Sequence, residues 1–236
     1  MWLQILLTLA AAAGLGLIAS DLVTARLASG LCAGHPVTNE QVNFAVQFER
    51  LAVFGTMGAV LTAFILLMIW VHRAYRNLHA LGARYLGDSP AMAVGSFFIP
   101  LVNLVMPALI VGAIWRGSEL HPAVAATKSE GRRPGVPALV VIWWVLWVAS
   151  GVCRMVTNGM QSRATSPAEL LKTTHYVLGA HALLVVTFVL TIVVVRSIQN
   201  MQDRKWADLG GACGTPTAGA SLAASGAAGG GQLQGQ

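Results

Sequence analysis

AMAVGSFFIPLVNLVMPALIVGAIW, Ala91–Trp115, decides how this chain is read. Its 25 residues contain no charge and no histidine, yet Pro100, Asn103 and Pro107 interrupt its middle. An uninterrupted apolar run of that length crosses a bilayer as one helix. Basic residues flank this one on both sides: Arg73, Arg76 and Arg84 before it, and Arg116, Lys128, Arg132 and Arg133 after it. Positive charge marks the cytoplasmic edge of membrane segments. Positive charge at both ends therefore points to a segment that enters the membrane and returns to the same side.

The backbone chemistry agrees. Pro100 lacks an N–H and disfavours helix at Ile99. Ser89–Pro90 fits an N-cap followed by proline at the first helical position. Pro90–Ile99 and Leu104–Trp115 are then two arms, each about 15 Å long, half a bilayer. Backbone groups freed at Pro100 must meet protein or water, because lipid offers no partner. A kinked spanning helix is the alternative.

Outward from this stretch, four segments have spanning length: about 2–20, 39–81, 137–156 and 174–195. Each supplies about 20 residues for a hydrocarbon core of about 30 Å. The chain is 56% hydrophobic and 10% charged, too little charge to coat a soluble globule. Its net charge of +6 sits at the edges of apolar segments, which fits orientation in a membrane and argues against nucleic acid. The first segment lacks the positive n-region of a signal peptide, with no Lys or Arg before Arg26, and reads as an uncleaved helix.

Thr38 with Gln41 fits a capping box, so the second helix is expected to begin ahead of its apolar part and to run to Leu81, stopping at Gly82. Its last turns set Ala74, Leu78 and Leu81 on one face and Arg73, Arg76 and Asn77 on another, a pattern suited to anionic headgroups or protein packing. Residues 1–205 form the membrane domain, with the hairpin at 90–116. Residues 206–236 are Gly/Ala-rich with Asp208 their only acid, and are expected to be disordered.

Charge counting separates the topologies. With four spans and the N-terminus inside, ten basic residues face the cytoplasm: Arg73, Arg76, Arg84, Arg116, Lys128, Arg132, Arg133, Arg196, Arg204 and Lys205. Five face outward: Arg26, Arg50, Arg154, Arg163 and Lys172. Five spans from the same start reverse the sign. The expected fold is thus an all-α integral membrane protein with four transmembrane helices and a Pro-broken re-entrant or interfacial hairpin, five spans being the alternative. N-terminus, the loop around Lys128 and the C-terminal tail are expected in the cytoplasm of a bacterial inner-membrane, multi-pass protein.

Several stretches resemble one family. They are Trp70-Val71-His72-Arg73-Ala74-Tyr75-Arg76-Asn77-Leu78, then Ser89-Pro90, Ala93-Val94-Gly95, Phe98-Ile99-Pro100-Leu101-Val102-Asn103-Leu104, Pro107 and Trp115-Arg116. They are similar to the bacterial membrane family catalogued as domain of unknown function 4328, closely from Trp70 to Ser118 and more loosely to about Gln202. Met106 and Ala113 stand where that family commonly has Arg and Glu. The resemblance implies a multi-spanning bacterial membrane protein and supplies no activity.

The sequence carries no G-x-S-x-G, H-E-x-x-H or Walker loop, and Cys32, Cys153 and Cys213 lack metal-site or C-x-x-C spacing. An enzyme, a cofactor and a metal are not expected. Candidate polar positions are few. Asn103, between Pro100 and Pro107, lies where half-helix ends meet, and serves either freed backbone groups or a solute path. Asp21, Glu49, Arg154 and His175 reach one depth at the outer helix ends, where Arg154 either pairs with an acid or snorkels. His181 lies deeper, with no acid recognised at its level, and reads as a hydrogen-bonded packing residue. Gly55, Ala59 and Ala63 form a small-residue stripe, and Trp143, Trp144 and Trp147 read as an aromatic belt. Two functions follow: a non-enzymatic membrane interaction or lipid-binding module, or a small-solute or ion pathway at the Pro100–Pro107 break. Expected partners are the lipid bilayer and other membrane proteins or a homo-oligomer, with no nucleic acid.

Overall fold

The structure is a computed structural model that describes residues 2–80, 89–119 and 136–214. Among these residues it is all-helical: α1 Trp2–Cys32, α2 Asn39–Ala80, α3 Pro90–Gly95, a 3-10 turn Val102–Leu104, α4 Met106–Ser118, α5 Ala138–Gln161 and α6 Pro167–Gly214. Four helices, α1, α2, α5 and α6, are long and apolar enough to cross a membrane. Their apolar stretches average hydropathies from 1.9 to 2.6. At 13 residues, or about 20 Å, α4 falls short of a span.

The helices outrun their apolar cores because capping, not hydropathy, sets their ends. At Thr38 the expected capping box forms: Gln41 N–H donates to Thr38 Oγ1 at 3.3 Å, and Thr38 N–H to Gln41 Oε1 at 3.0 Å. A second box opens α6 seven residues before the expected Thr174. Ser166 Oγ accepts from Glu169 N–H at 3.3 Å, and the Glu169 carboxylate accepts from the Thr165 N–H at 2.9 Å. α1 continues through Asp21 and Arg26 to a Schellman ending, with Gly34 at φ 78° and bonds from Gly34 N–H to Leu31 and His35 N–H to Gly30. α6 runs to Gly214, nine residues into the stretch expected to be disordered. The rest of that tail, Gly82, and the loop around Lys128 lie outside the described residues.

α1 and α6 are antiparallel central partners, with α2 on α1 and α5 on α6. Register is fixed at both ends: Gln4 Nε2 donates to Gln199 Oε1 at 2.6 Å, and Asp21 meets His181 about 26 Å further along. Between them a Cβ on Gly14 would lie 2.9 Å from Val185 Cγ2, so Gly14 is what lets the two helices close. The small-residue stripe works differently from expectation at Gly55, which is exposed, while Ala63 is buried.

The Pro-broken segment packs against α2, α5 and α6 at the bundle end that carries Gln4, Leu78 and Gln199, here termed the hairpin end. Ser89 caps α3 through Met92 N–H at 3.1 Å, as expected. α3 stops at Gly95, earlier than the expected Ile99: Ser96 is still αR, but the chain tightens into three-residue turns from Phe97 to Val94 and Phe98 to Gly95 ahead of Pro100, which disfavours helix at Ile99. Phe98 meets Phe64 of α2 edge-on, with centroids 6.0 Å apart. α4 then runs back until Gly117 sits against Leu78, about 21 Å from Phe64 along α2. Lys205 Nζ caps the Gly117 carbonyl at 2.9 Å, and Gln202 Nε2 donates to Ser118 Oγ and to the Ala74 carbonyl.

Candidate functional site

In the half occupied by α3 and α4, polar atoms freed by the break find protein partners. Trp144 Nε1 donates to the Leu104 carbonyl at 2.9 Å, and Trp143 Nε1 to Thr191 Oγ1 at 2.8 Å. Both indoles are buried, Trp143 tilted against Trp144 and Trp144 stacked on Trp147. The expected belt is therefore a buried ladder: these rings point into the bundle, which composition alone does not reveal. Asn103 donates its backbone N–H to Ile99 at 2.7 Å. Its side-chain Oδ1 is buried and unbonded among the described residues, so Trp144 does the work expected of it. Pro100 is exposed in the turn, and Pro107 is fully buried at the start of α4. Along α2, Val71, Ala74, Tyr75 and Leu78 are buried, Arg73 and Arg76 are exposed, and Asn77 is half-buried, the two-faced pattern read from the sequence.

The other half of the bundle is open. A cleft of about 430 Å3 lies between α2 and α5 with α1 and α6 as its back wall. Its lower wall is apolar: Val53, Met57, Val60, Leu61 and Phe64 of α2, with Leu17 and Val177 behind. Its polar lining is Asp21, His181, Glu49, Arg154, Asn158 and Gln161. Thr56 also lines it, but its hydroxyl is spent on the Ala13 carbonyl at 3.1 Å.

Asp21 and His181 form the centre. Nδ1 of His181 lies 2.7 Å from Asp21 Oδ2, and the two side chains are 12% and 10% exposed. A carboxylate accepts, so Nδ1 carries the proton and Nε2 is left without a partner among the described residues. No ion pair joins Arg154 to Asp21 or Glu49; both Arg154 and Glu49 line the cleft with side chains unbonded to described residues. Glu49 is exposed and Arg154 half-buried.

The sequence placed Asp21, Glu49 and Arg154 at one depth, and the cleft brings those three together. His175 is not with them: it is exposed and bonds its own helix at Leu171. His181 takes that place, and the acid it lacked in the sequence reading is Asp21. Cys32 and Cys153 are exposed free thiols. Among the described residues no three His, Cys, Asp or Glu side chains gather as metal ligands.

The sequence profile of one family, Domain of unknown function (DUF4328), matches residues 33–200. The chain belongs to this family. The DUF4328 region takes in α2 through most of α6, so it holds Glu49, Arg154 and His181 but leaves Asp21 on the helix ahead of it. No curated protein and no solved structure matches the chain.

Proposed function

We propose that this DUF4328 protein is a multi-pass inner-membrane protein that binds a lipid in the lateral cleft between α2 and α5, without catalysing a reaction. The cleft carries the reading. From Glu49 to Phe64 it extends about 22 Å along α2. One bilayer leaflet, half of a hydrocarbon core of about 30 Å plus its headgroups, is about 21 Å deep. An apolar wall ending in a charged rim over that depth suits an amphiphile standing as it stands in the membrane. The volume falls within the range of small-molecule sites, about 300–1,000 Å3.

In this reading α3 and α4 form a re-entrant hairpin that fills the cytoplasmic half of the same gap, and both chain termini face the cytoplasm. Contacts of Gly117 with Leu78 and of Ser118 with Gln202 support it, as does the ten-to-five distribution of basic residues. Single-cysteine probes at Asn77, Glu119 and Arg204 should all resist impermeant thiol reagents in intact cells, while one at Gln161 should react. Opposite sidedness of Asn77→Cys and Glu119→Cys would establish a kinked span.

Native mass spectrometry tests the binding. The wild type, released gently from lipid vesicles, should retain about one lipid per chain. Val60→Trp, which fills the cleft, should retain none. Equal retention by both would refute a cleft-bound lipid. The second reading, a solute path at the break, rests on the unbonded Oδ1 of Asn103. It requires solute flux in reconstituted vesicles that Asn103→Leu abolishes.

A further inference from the structure

The cleft's charges select among lipids. Resting on the reading that a lipid fills the cleft, we infer that the lipid is a zwitterionic phospholipid with a protonated primary amine, its phosphate on Arg154 and its ammonium toward Glu49 and His181.

The donor and acceptor inventory leads there. Arg154 lines the cleft with its guanidinium unbonded to described residues. A guanidinium presents a planar fork of donors that matches phosphate oxygens, and it is stranded at this depth without an anion. A phosphate therefore answers one side of the cleft. On the other side stand Asp21, Glu49 and His181. Counting His181 as neutral, two carboxylates face one guanidinium, and a phosphate would add a further negative charge. A lipid that is only anionic leaves the cleft with an uncompensated negative excess, costly where the dielectric is low. A ligand that brings its own cation cancels the charge of its phosphate and leaves one net negative charge in the cleft in place of two.

The kind of cation follows from hydrogen bonding. Asp21 already accepts from His181 Nδ1. What remains as acceptors are the Glu49 carboxylate, the second oxygen of Asp21, and His181 Nε2 when the ring is neutral. A primary ammonium offers three N–H donors to such acceptors. A trimethylated ammonium offers none and leaves all three unbonded. Below the headgroup, Val53, Met57, Val60, Leu61 and Phe64 give an acyl chain an apolar wall reaching down to the level where Phe98 of the hairpin packs.

The test uses the full-length protein reconstituted in vesicles of equal parts phosphatidylethanolamine, phosphatidylcholine and phosphatidylglycerol, with retained lipid counted by class in native mass spectra. The ethanolamine lipid should be retained about tenfold over each of the others, the ratio that one charge-assisted hydrogen bond supplies. Stepwise N-methylation of the ethanolamine lipid should erode the preference with each N–H lost. Glu49→Gln, at an exposed position, should lower the ethanolamine-to-choline ratio toward one. Arg154→Gln should reduce retention of both. Preference for the glycerol lipid, or retention without regard to headgroup that Val60→Trp still abolishes, would overturn the assignment and leave a lipid-binding cleft standing. Retention unaffected by Val60→Trp, or a lipid-free dimer in the spectra with a second copy seated in the cleft, would overturn the lipid reading itself and this inference with it.

Discussion

The two halves of the bundle are built from the same helices and differ in what stands between α2 and α5. At the hairpin end, α3 and α4 contact α2, and α4 also meets α5 and α6. There the freed Leu104 carbonyl, Ser118, the Ala74 carbonyl and the Gly117 carbonyl are all taken by side chains from other helices. At the opposite end no described element stands between α2 and α5, yet Asp21, Glu49 and Arg154 line the cleft there. The difference teaches that the Pro-broken segment is a filler as much as a break. Where it is present, side chains of other helices take up polar atoms, Asn103 Oδ1 excepted; where it is absent, Glu49 and Arg154 face an open cleft unbonded to described residues.

The largest expected effect breaks the filled half. Trp144 is 8% exposed and ties the hairpin to α5 through Leu104 and Phe97. Trp144→Ala should cost about 3–5 kcal/mol by the usual scale for buried aromatic truncation. Thermal unfolding in detergent should shift down sharply, and the hairpin should become protease-sensitive before the rest. Wild-type stability would show that the hairpin is held by lipid and not by the bundle.

A smaller effect sharpens the cleft half. Removing one member of a buried ion pair costs about 3–5 kcal/mol in soluble cores. Interhelical polar contacts in membrane proteins average only about 0.6 kcal/mol and reach about 1.7. The second scale applies, because an open cleft lets the orphaned group find water or headgroups. Asp21→Leu and His181→Leu should therefore each cost about 0.6–1.7 kcal/mol. The double variant should recover most of the loss, since no unpaired polar group then remains. A double variant as unstable as the sum of the two singles would mean the pair contributes nothing through its bond.

The smallest effect lies outside both halves, ahead of the apolar run of α6. The backbone N–H and hydroxyl of Thr165, with Ser166, hold the exposed Glu169 carboxyl below the usual carboxylate range. A carboxyl lowered on folding stabilises the fold above its unfolded value and loses that contribution as pH falls through its folded value. Glu169→Gln should flatten the acid limb of the stability curve below about pH 4, where the unfolded carboxyl titrates. Parallel acid limbs for wild type and Glu169→Gln would remove Thr165 and Glu169 from the account of how α6 begins.

Much of this was legible because caps and membrane length are local properties. Thr38 with Gln41 and Ser89–Pro90 announced their helix starts in four residues each. Ser166, Pro167 and Glu169 carry the same signal, overlooked because the apolar run begins only at Thr174. The helix ends were read short for one reason: Asp21 and Lys172 end hydropathy, but a charge does not end a helix. The bond between Asp21 and His181 was not legible, since it depends on the antiparallel register of two helices 160 positions apart. Gln4 against Gln199 fixes that register, and with it Asp21 falls opposite His181. Trp143 and Trp144 were misplaced for a related reason: a stripe of indoles at a helix end reads alike whether it faces lipid or protein.

α6 runs unbroken for 48 residues, with His181 near one end of its bonded length and Gln202 and Lys205 near the other. Those two grips are about 31 Å apart on one rod. Such a rod is a lever with a hold at each end and Gly14 against Val185 as its fulcrum. Any tilt that parts His181 from Asp21 must also swing Gln202 and Lys205 against Ser118 and Gly117. The Pro-broken segment and the cleft thus share one rod, α6, as well as the contact of Phe98 with Phe64 at the cleft floor.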